Sequence, residues 1–404
     1  MYYDMHYISR IAGAFALAAL GLAIWFSIVL ARADSYFRAG TPETVQRAVE
    51  IAPRKTEYLA LRALQLDYEG VDSTALTEKI AALNPRSSAP RIKLGLAAEI
   101  RGDSATAERW LLDAASVDHQ FEPRWTLANF YFRAEQQDEF WKWMRLALEV
   151  SYGDRTPAFE LCRRVSGDAE EILRRAVPDR HEVVGAYLGY LSEPPQRRLQ
   201  PQMAAPQGGE YRGIVAVARR LADYHDAADL PLLYGVCDQL VAARDPGALQ
   251  VWLLAGEAAP LGIFNGDFAK TPTDHGFDWR VVRSAGVTHV HLDAPPGHRI
   301  AFSGREPESC SLLEQTLLLA GGKRYRLQWE ARTAGIKSPS GLEWVLGRQG
   351  MALPHSEAWM PGEMIFTATE GSNVLALRYQ RPVGESRAEG NVELRHVRLT
   401  EAAP

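Results

Sequence analysis

The chain has 404 residues, 47% hydrophobic and 24% charged, which is enough for two or three domains with proper cores and argues against global disorder. A formal net charge of -5 gives no electrostatic reason to expect nucleic acid as a partner. Three cysteines (Cys162, Cys237, Cys310) stand far apart without a CxxC or a Cys/His cluster, which excludes a disulfide scaffold and argues against structural zinc.

The first predicted element is apolar. Between Arg10 and Arg32, residues 11–31 (IAGAFALAALGLAIWFSIVLA) carry no charge, and these 21 residues span roughly a 30 Å hydrocarbon layer at about 1.5 Å each. This predicts a transmembrane helix within an anchor of residues 1–40. A cleaved signal peptide is the rival, because Ala31-Arg32-Ala33 resembles an A-x-A site. The apolar run exceeds a signal h-region of about 7–15 residues, and only Arg10 precedes it, which favours an uncleaved anchor. Arg32, Arg38 and Arg47 follow the helix and bias the C-terminal body toward the cytoplasm, a bias that long domains override.

Residues 41–154 repeat. Ala48, Ala81, Ala114 and Ala147 recur every 33 residues, and so do Leu61, Leu94 and Leu127. Residues 89–118 read as helix, a turn at Gly102-Asp103, and a second helix, and Thr41-Pro42 reads as an N-cap followed by an N1 proline. With Leu94-Gly95, Gly102, Ala107 and Ala114, then Trp125, Leu127-Ala128, Tyr131 and Ala147, the segment resembles the tetratricopeptide (TPR) helix pair of about 34 residues. The resemblance implies a TPR-like α-solenoid that binds protein partners. In its register the concave face carries Trp125, Asn129, Phe132 and Arg133 from one helix and Ile92, Leu96 and Glu99 from the helix before. The alternative is that these aromatics pack against the next helix pair or the following domain.

Residues 155–260 keep apolar spacing of three and four in six runs (AFELCRRV, AEEILRRAV, HEVVGAYLGYL, IVAVARRLADYH, LPLLYGVCDQLVAAR, ALQVWLLAG), which predicts an irregular helical extension. Pro194–Gly209, rich in Pro, Gln and Gly, reads as a loop.

From residue 261 to 404 the period changes to two. THVHLD, HRIAFSG, RYRLQWEA, GLEWVLG, GEMIFTAT, NVLALRYQR and NVELRHVRL are short strand candidates between Gly, Pro, Asn and Ser turns, which predicts an antiparallel β-sandwich or jelly roll. Phe264-Asn265-Gly266-Asp267-Phe268 followed by Gly276-Phe277-Asp278-Trp279, with Gln315, Gly321-Gly322, Tyr325 and Leu327 later, resembles the galactose-binding-like jelly rolls of carbohydrate-binding modules.

The resemblance implies a polysaccharide partner, gripped by flat aromatic faces and by polar groups that reach sugar hydroxyls. Trp279, Trp344, Trp359 and Tyr379 supply aromatics, and Asp278, Glu343 and Arg378 supply polar partners. Alternation places Trp329, Trp344 and Tyr379 in the core. Trp359, in HSEAWMPGE, and then Trp279 remain as the glycan-binding aromatics, with Asp278 and Arg378 beside them. The family also admits a structural calcium ion near Asn265 or Asp267. His289, His291 and Asp293 share one strand face opposite Val290 and Leu292, which reads as a solvated polar face, and no metal site is expected.

The chain has no GxSxG, GxxxxGK[ST] or HExxH, and solenoid plus sandwich leave no region for a catalytic domain. The sequence therefore predicts a non-enzymatic, cofactor-free adaptor. It would be single-pass in a bacterial inner membrane with its soluble domains periplasmic, and would serve polysaccharide assembly or export. The alternative is a pure protein scaffold with a structural sandwich.

Overall fold

In the computed structural model, which describes residues 2–192, 208–337, 340–369 and 372–402, the apolar N-terminal run is one unbroken helix, α1 (Tyr2–Ala39). Over Gly13–Ala39 it is long and apolar enough to cross a membrane, and its apolar 18-residue stretch has a mean hydropathy of 2.4 with none of it buried. The helix stops at Gly40, whose φ of 72° suits a residue without Cβ. Thr41 then caps α2 (Pro42–Ile51), its hydroxyl accepting from the Thr44 amide. Ala33, on the last turns of α1, is buried with Ala48 and Tyr58, and the Tyr58 hydroxyl donates to the Asp34 carboxylate.

The chain falls into two compact units, Met1–Ala158 and Phe159–Pro404. The first continues as α3 (Thr56–Tyr68), α4 (Thr74–Leu83), α5 (Ala89–Ile100), α6 (Ser104–Val117), α7 (Phe121–Arg133) and α8 (Gln137–Glu149), each packed on the helix before it. The alanine column lands once on every second helix: Ala48, Ala81, Ala114 and Ala147 are all buried. In the leucine column Leu94 and Leu127 are buried and Leu61 is partly exposed. Small residues at these crossings let helices approach closely. A Cβ on Gly95 would lie 2.6 Å from the Leu111 Cδ2 of α6. Asp103 caps α6 by accepting from the Thr106 amide at 3.1 Å, right after the Gly102 turn.

The second unit begins within α9 (Thr156–Val165) and continues as α10 (Ala169–Arg175), α11 (His181–Ser192), α12 (Gly208–Ala222), α13 (Leu230–Ala242) and α14 (Gly247–Leu254), one helix for each predicted run. Most of the predicted Pro194–Gly209 loop lies outside the described residues, and Gly208-Gly209 open α12.

The strands are β1 (Arg280–Val281), β2 (Val287–Asp293), β3 (Pro296–Ser303), β4 (Ser309–Leu318), β5 (Arg324–Ala334), β6 (Leu342–Leu346), β7 (Gln349–Ala352), β8 (Met360–Thr367), β9 (Ser372–Gln380) and β10 (Glu389–Glu401). They form two antiparallel five-stranded sheets, ordered β1-β4-β9-β6-β7 and β2-β3-β10-β5-β8. The seven predicted runs are all strands, and β1, β4 and β7 add to them. Inward side chains of both sheets make one core, including Trp279, Trp329, Trp344, Leu327, Leu377 and Val392.

Helices α13 and α14 dock on this sandwich. Trp252, fully buried, meets Phe264 and Phe277 edge-on with centroids 5.2 and 5.9 Å away. The Asp238 carboxylate accepts from the Gly276 amide (2.7 Å), Arg280 (2.6 Å) and His275 Nδ1 (2.7 Å).

Candidate functional site

The β2-β3-β10-β5-β8 sheet turns one face to the core and the other outward. On β5, Leu327, Trp329 and Ala331 point inward, so Gln328, Glu330 and Arg332 point outward. On β10, Val392 and Leu394 are inward, leaving Glu393 and Arg395 outward. Register places Arg332 opposite Glu393, Glu330 opposite Arg395, and Arg299 of β3 opposite Glu393 from the other side. Unlike charges thus face each other across the strands.

The pairs close tightly. Arg299 and Arg332 each hold one Glu393 carboxylate oxygen at 2.7 Å, and Arg395 reaches Glu330 at 2.7 Å. The Glu393 side chain is only 5% exposed, while those of Arg299 and Arg332 are 41% and 42% exposed. The carboxylate is covered and the guanidinium groups face solvent. Trp359, in the segment leading into β8, lies over this arrangement, with its ring centroid 4.1 Å from the Arg395 guanidinium carbon and 4.9 Å from that of Arg332. Both arginines rise from the same sheet face, so the partly exposed indole rests on that face, held by cation–π contact. A flat ring flanked by N–H donors suits a ligand with both apolar C–H surface and oxygen acceptors.

The four predicted glycan-binding residues separate in space. Trp359 belongs to this face. Trp279 does not: it is fully buried, stacked on Phe268 (5.5 Å, 20°) and beside Trp344 (5.8 Å), with Nε1 donating to the Asn265 carbonyl. An indole enclosed in this way offers no face to a sugar, which corrects the expectation for it. Asp278 is corrected likewise. At 1% exposure it accepts from the Thr273 and Trp279 amides, both at 2.8 Å, and so fixes the turn before β1. Burial pushes its carboxyl above the ordinary range, against the pull of those hydrogen bonds. Arg378 is exposed on β9, in the other sheet, across from Glu343 and away from Trp359.

Trp329, Trp344 and Tyr379 are buried, as their alternation implied. Gln315 is buried too and clamps Phe264, its oxygen accepting from the Phe264 amide and its amide donating to the Phe264 carbonyl. The Asn265 side chain closes a loop onto Lys270 through both its oxygen and its nitrogen, and Asp267 accepts from the Ala269 amide.

The β2 face is reversed relative to its predicted orientation. His289 and His291 turn inward, whereas Val290 is 41% exposed. The reason is the neighbour on β3: His298, 2% exposed, receives the two histidines on the inner side, with His289 Nδ1 3.1 Å from His298 Nε2.

In the helical array the structure joins two predicted groove residues to each other. Arg133 of α7 forks onto Glu99 of α5 through bonds of 2.7 and 2.8 Å. Lys93 and Asp67 tie α5 to α3 in the same manner at 2.5 Å. Trp125 stacks on Phe121 of its own helix (5.7 Å, 14°), and Phe132 lies 6.0 Å from Phe140. The Asn129 amide donates back to the Trp125 carbonyl. These last contacts lie within α7 or between α7 and α8.

Sequence reasoning passed over Arg299, Arg332, Glu393, Arg395 and Glu330. Their signal was the polar half of the β3, β5 and β10 alternation.

No protein-family model matches the chain, and no curated protein matches it. Among solved structures the chain is similar to a CBM4 module (11% identity, 35% of this chain and 99% of that one, TM-score 0.28). It is also similar to the BiXyn10A CBM1 module in its apo form (17%, 34% and 95%, 0.24). A third similar structure is the CBM22-1 xylan-binding domain of Paenibacillus barcinonensis Xyn10C (12%, 34% and 94%, 0.25). Likenesses this slight assign no ligand, and the sandwich architecture stands on the strand pairing itself.

Proposed function

We propose that this chain is a membrane-anchored, non-catalytic adaptor of a bacterial inner membrane. Its sandwich holds glycan against Trp359, and its TPR-like helical array engages protein partners in assembling or exporting a cell-surface polysaccharide. One observation carries the reading: an indole seated on two guanidinium groups on the solvent face of a rigid sheet. The anchor reading is supported by α1, which runs unbroken through Ala31-Arg32-Ala33 and buries Ala33 against α2 and α3. The absence of catalysis is supported by the site itself, whose carboxylates Glu330 and Glu393 are each held by arginine.

The test uses the full chain in detergent micelles against polysaccharide from a bacterial envelope, by affinity electrophoresis, with Trp359→Ala alongside. Retarded migration that Trp359→Ala abolishes without lowering the melting temperature supports the proposal. Migration that no polysaccharide alters refutes it.

The docking of α13 and α14 on the sandwich favours a second reading, a protein scaffold whose sandwich is structural. In that case Trp359→Ala leaves all binding unchanged and partner capture persists.

A further inference from the structure

We infer that the glycan taken by the Trp359 face is acidic, a uronate-bearing polysaccharide; this rests on the glycan reading above. The sheet face is not neutral. Its outward side chains include the guanidinium groups of Arg299, Arg324, Arg326, Arg332, Arg395 and Arg398, with Arg398 placed outward by its register opposite Gln328. The outward carboxylates are Glu330, Glu363, Glu389 and Glu393. Six positive groups against four negative ones leave an excess of two, within a chain whose overall charge is -5.

Burial sharpens the asymmetry. Glu393 neutralises two arginines from beneath at 5% exposure, so an approaching ligand meets guanidinium rather than carboxylate. Arg326 stands 44% exposed beside Glu363 at 3.6 Å, and Arg398 is exposed. A guanidinium has five N–H donors in a fixed fork, so an arginine bound to one carboxylate still offers donors to a second. A hexuronate brings a carboxylate to the guanidinium donors that these pairs leave over, along with the apolar C–H surface that Trp359 accepts. Single-stranded nucleic acid is also anionic, but it asks for several stacking aromatics in succession, and Trp359 is the aromatic held over these arginines.

The experiment measures binding of the full chain in micelles to polygalacturonate, xylan, dextran and oligodeoxythymidylate by isothermal titration calorimetry, at low and at high salt. Polygalacturonate should bind at least about tenfold tighter than xylan or dextran, and should weaken several-fold as salt screens the contacts. Trp359→Ala should abolish that binding. Arg326→Gln with Arg398→Gln should weaken it several-fold, at positions whose exposure keeps folding intact. Neutral polymers bound equally well, with Trp359→Ala still abolishing it, would overturn the acidic preference and leave the glycan reading standing. Binding to none of the polymers overturns the acidic preference, and the glycan reading falls with it when envelope polysaccharide is also left unbound. Oligodeoxythymidylate bound as tightly as polygalacturonate, or an Arg326→Gln/Arg398→Gln variant that binds unchanged, overturns the inference.

Discussion

Mild acid should loosen the sandwich through one histidine. His298 sits on the inner side of β3, 2% exposed and stacked on Phe268 at 5.4 Å, with the His289 ring nitrogen 3.1 Å away. Burial first, and then the neighbouring His289 and His291, push its pKa from 6.5 down to about 3. The imidazole is therefore neutral in the folded chain and takes up a proton readily only when unfolded. A depressed folded-state value means that this stability is complete above pH 6.5 and drains away as pH falls toward 3. Linkage gives a loss of about 2 kcal/mol between pH 7 and pH 5, and about 3 kcal/mol by pH 4. The same sign holds for His289, whose pKa is also lowered by burial. Urea unfolding at pH 7 and pH 5, followed by tryptophan fluorescence, measures the effect. His298→Leu, which cannot titrate, should lose about 2 kcal/mol less than the natural chain over that interval. If both chains lose the same stability, the reasoning is wrong.

Glu393→Gln should lower stability by about 1–3 kcal/mol, because Arg299 and Arg332 lose their shared carboxylate and solvent only partly compensates them. It should also loosen the seat of Trp359, which a change in indole fluorescence reports. Asp238→Ala removes three hydrogen bonds between α13 and the sandwich and should cost about 2–4 kcal/mol in thermal or urea unfolding. Gly95→Val places a side chain within reach of Leu111 and should cost about 1–3 kcal/mol by overpacking, whereas the same change at open Gly102 should be set by its positive φ alone. Arg133→Ala should cost no more than about 1 kcal/mol, since the pair with Glu99 lies at the surface.

The fold was largely legible because periodicity reports burial. The alanine column marked the close helix crossings, and alternation along β5, β6 and β9 put Trp329, Trp344 and Tyr379 inside. Trp279 escaped because it precedes a strand of only two residues, too short for alternation to reveal a face. On β2 alternation separated two faces without saying which is inner. Valine lies on the outside and histidines lie inside because His298, on the neighbouring strand, completes the inner cluster. Trp359 stood out as the aromatic in a loop, but its seat did not. Arg332 and Arg395 belong to strands distant in sequence, and only the register of β5 on β10 brings them beneath one ring.

The continuity of α1 sets the mechanics of everything attached to it. Were residues 11–31 to cross a bilayer, as proposed, the helix would emerge at Arg32 and be caught within one turn by Ala48 and Tyr58, leaving no swivel between lipid and array. At about 1.5 Å per residue, the stretch from Arg32 to Ala39 would then hold α2 and α3 within roughly 12 Å of the membrane surface. On that anchoring the array would behave as a rigid bracket rather than a tethered float: any tilt or rotation of α1 would turn the first helix pair with it.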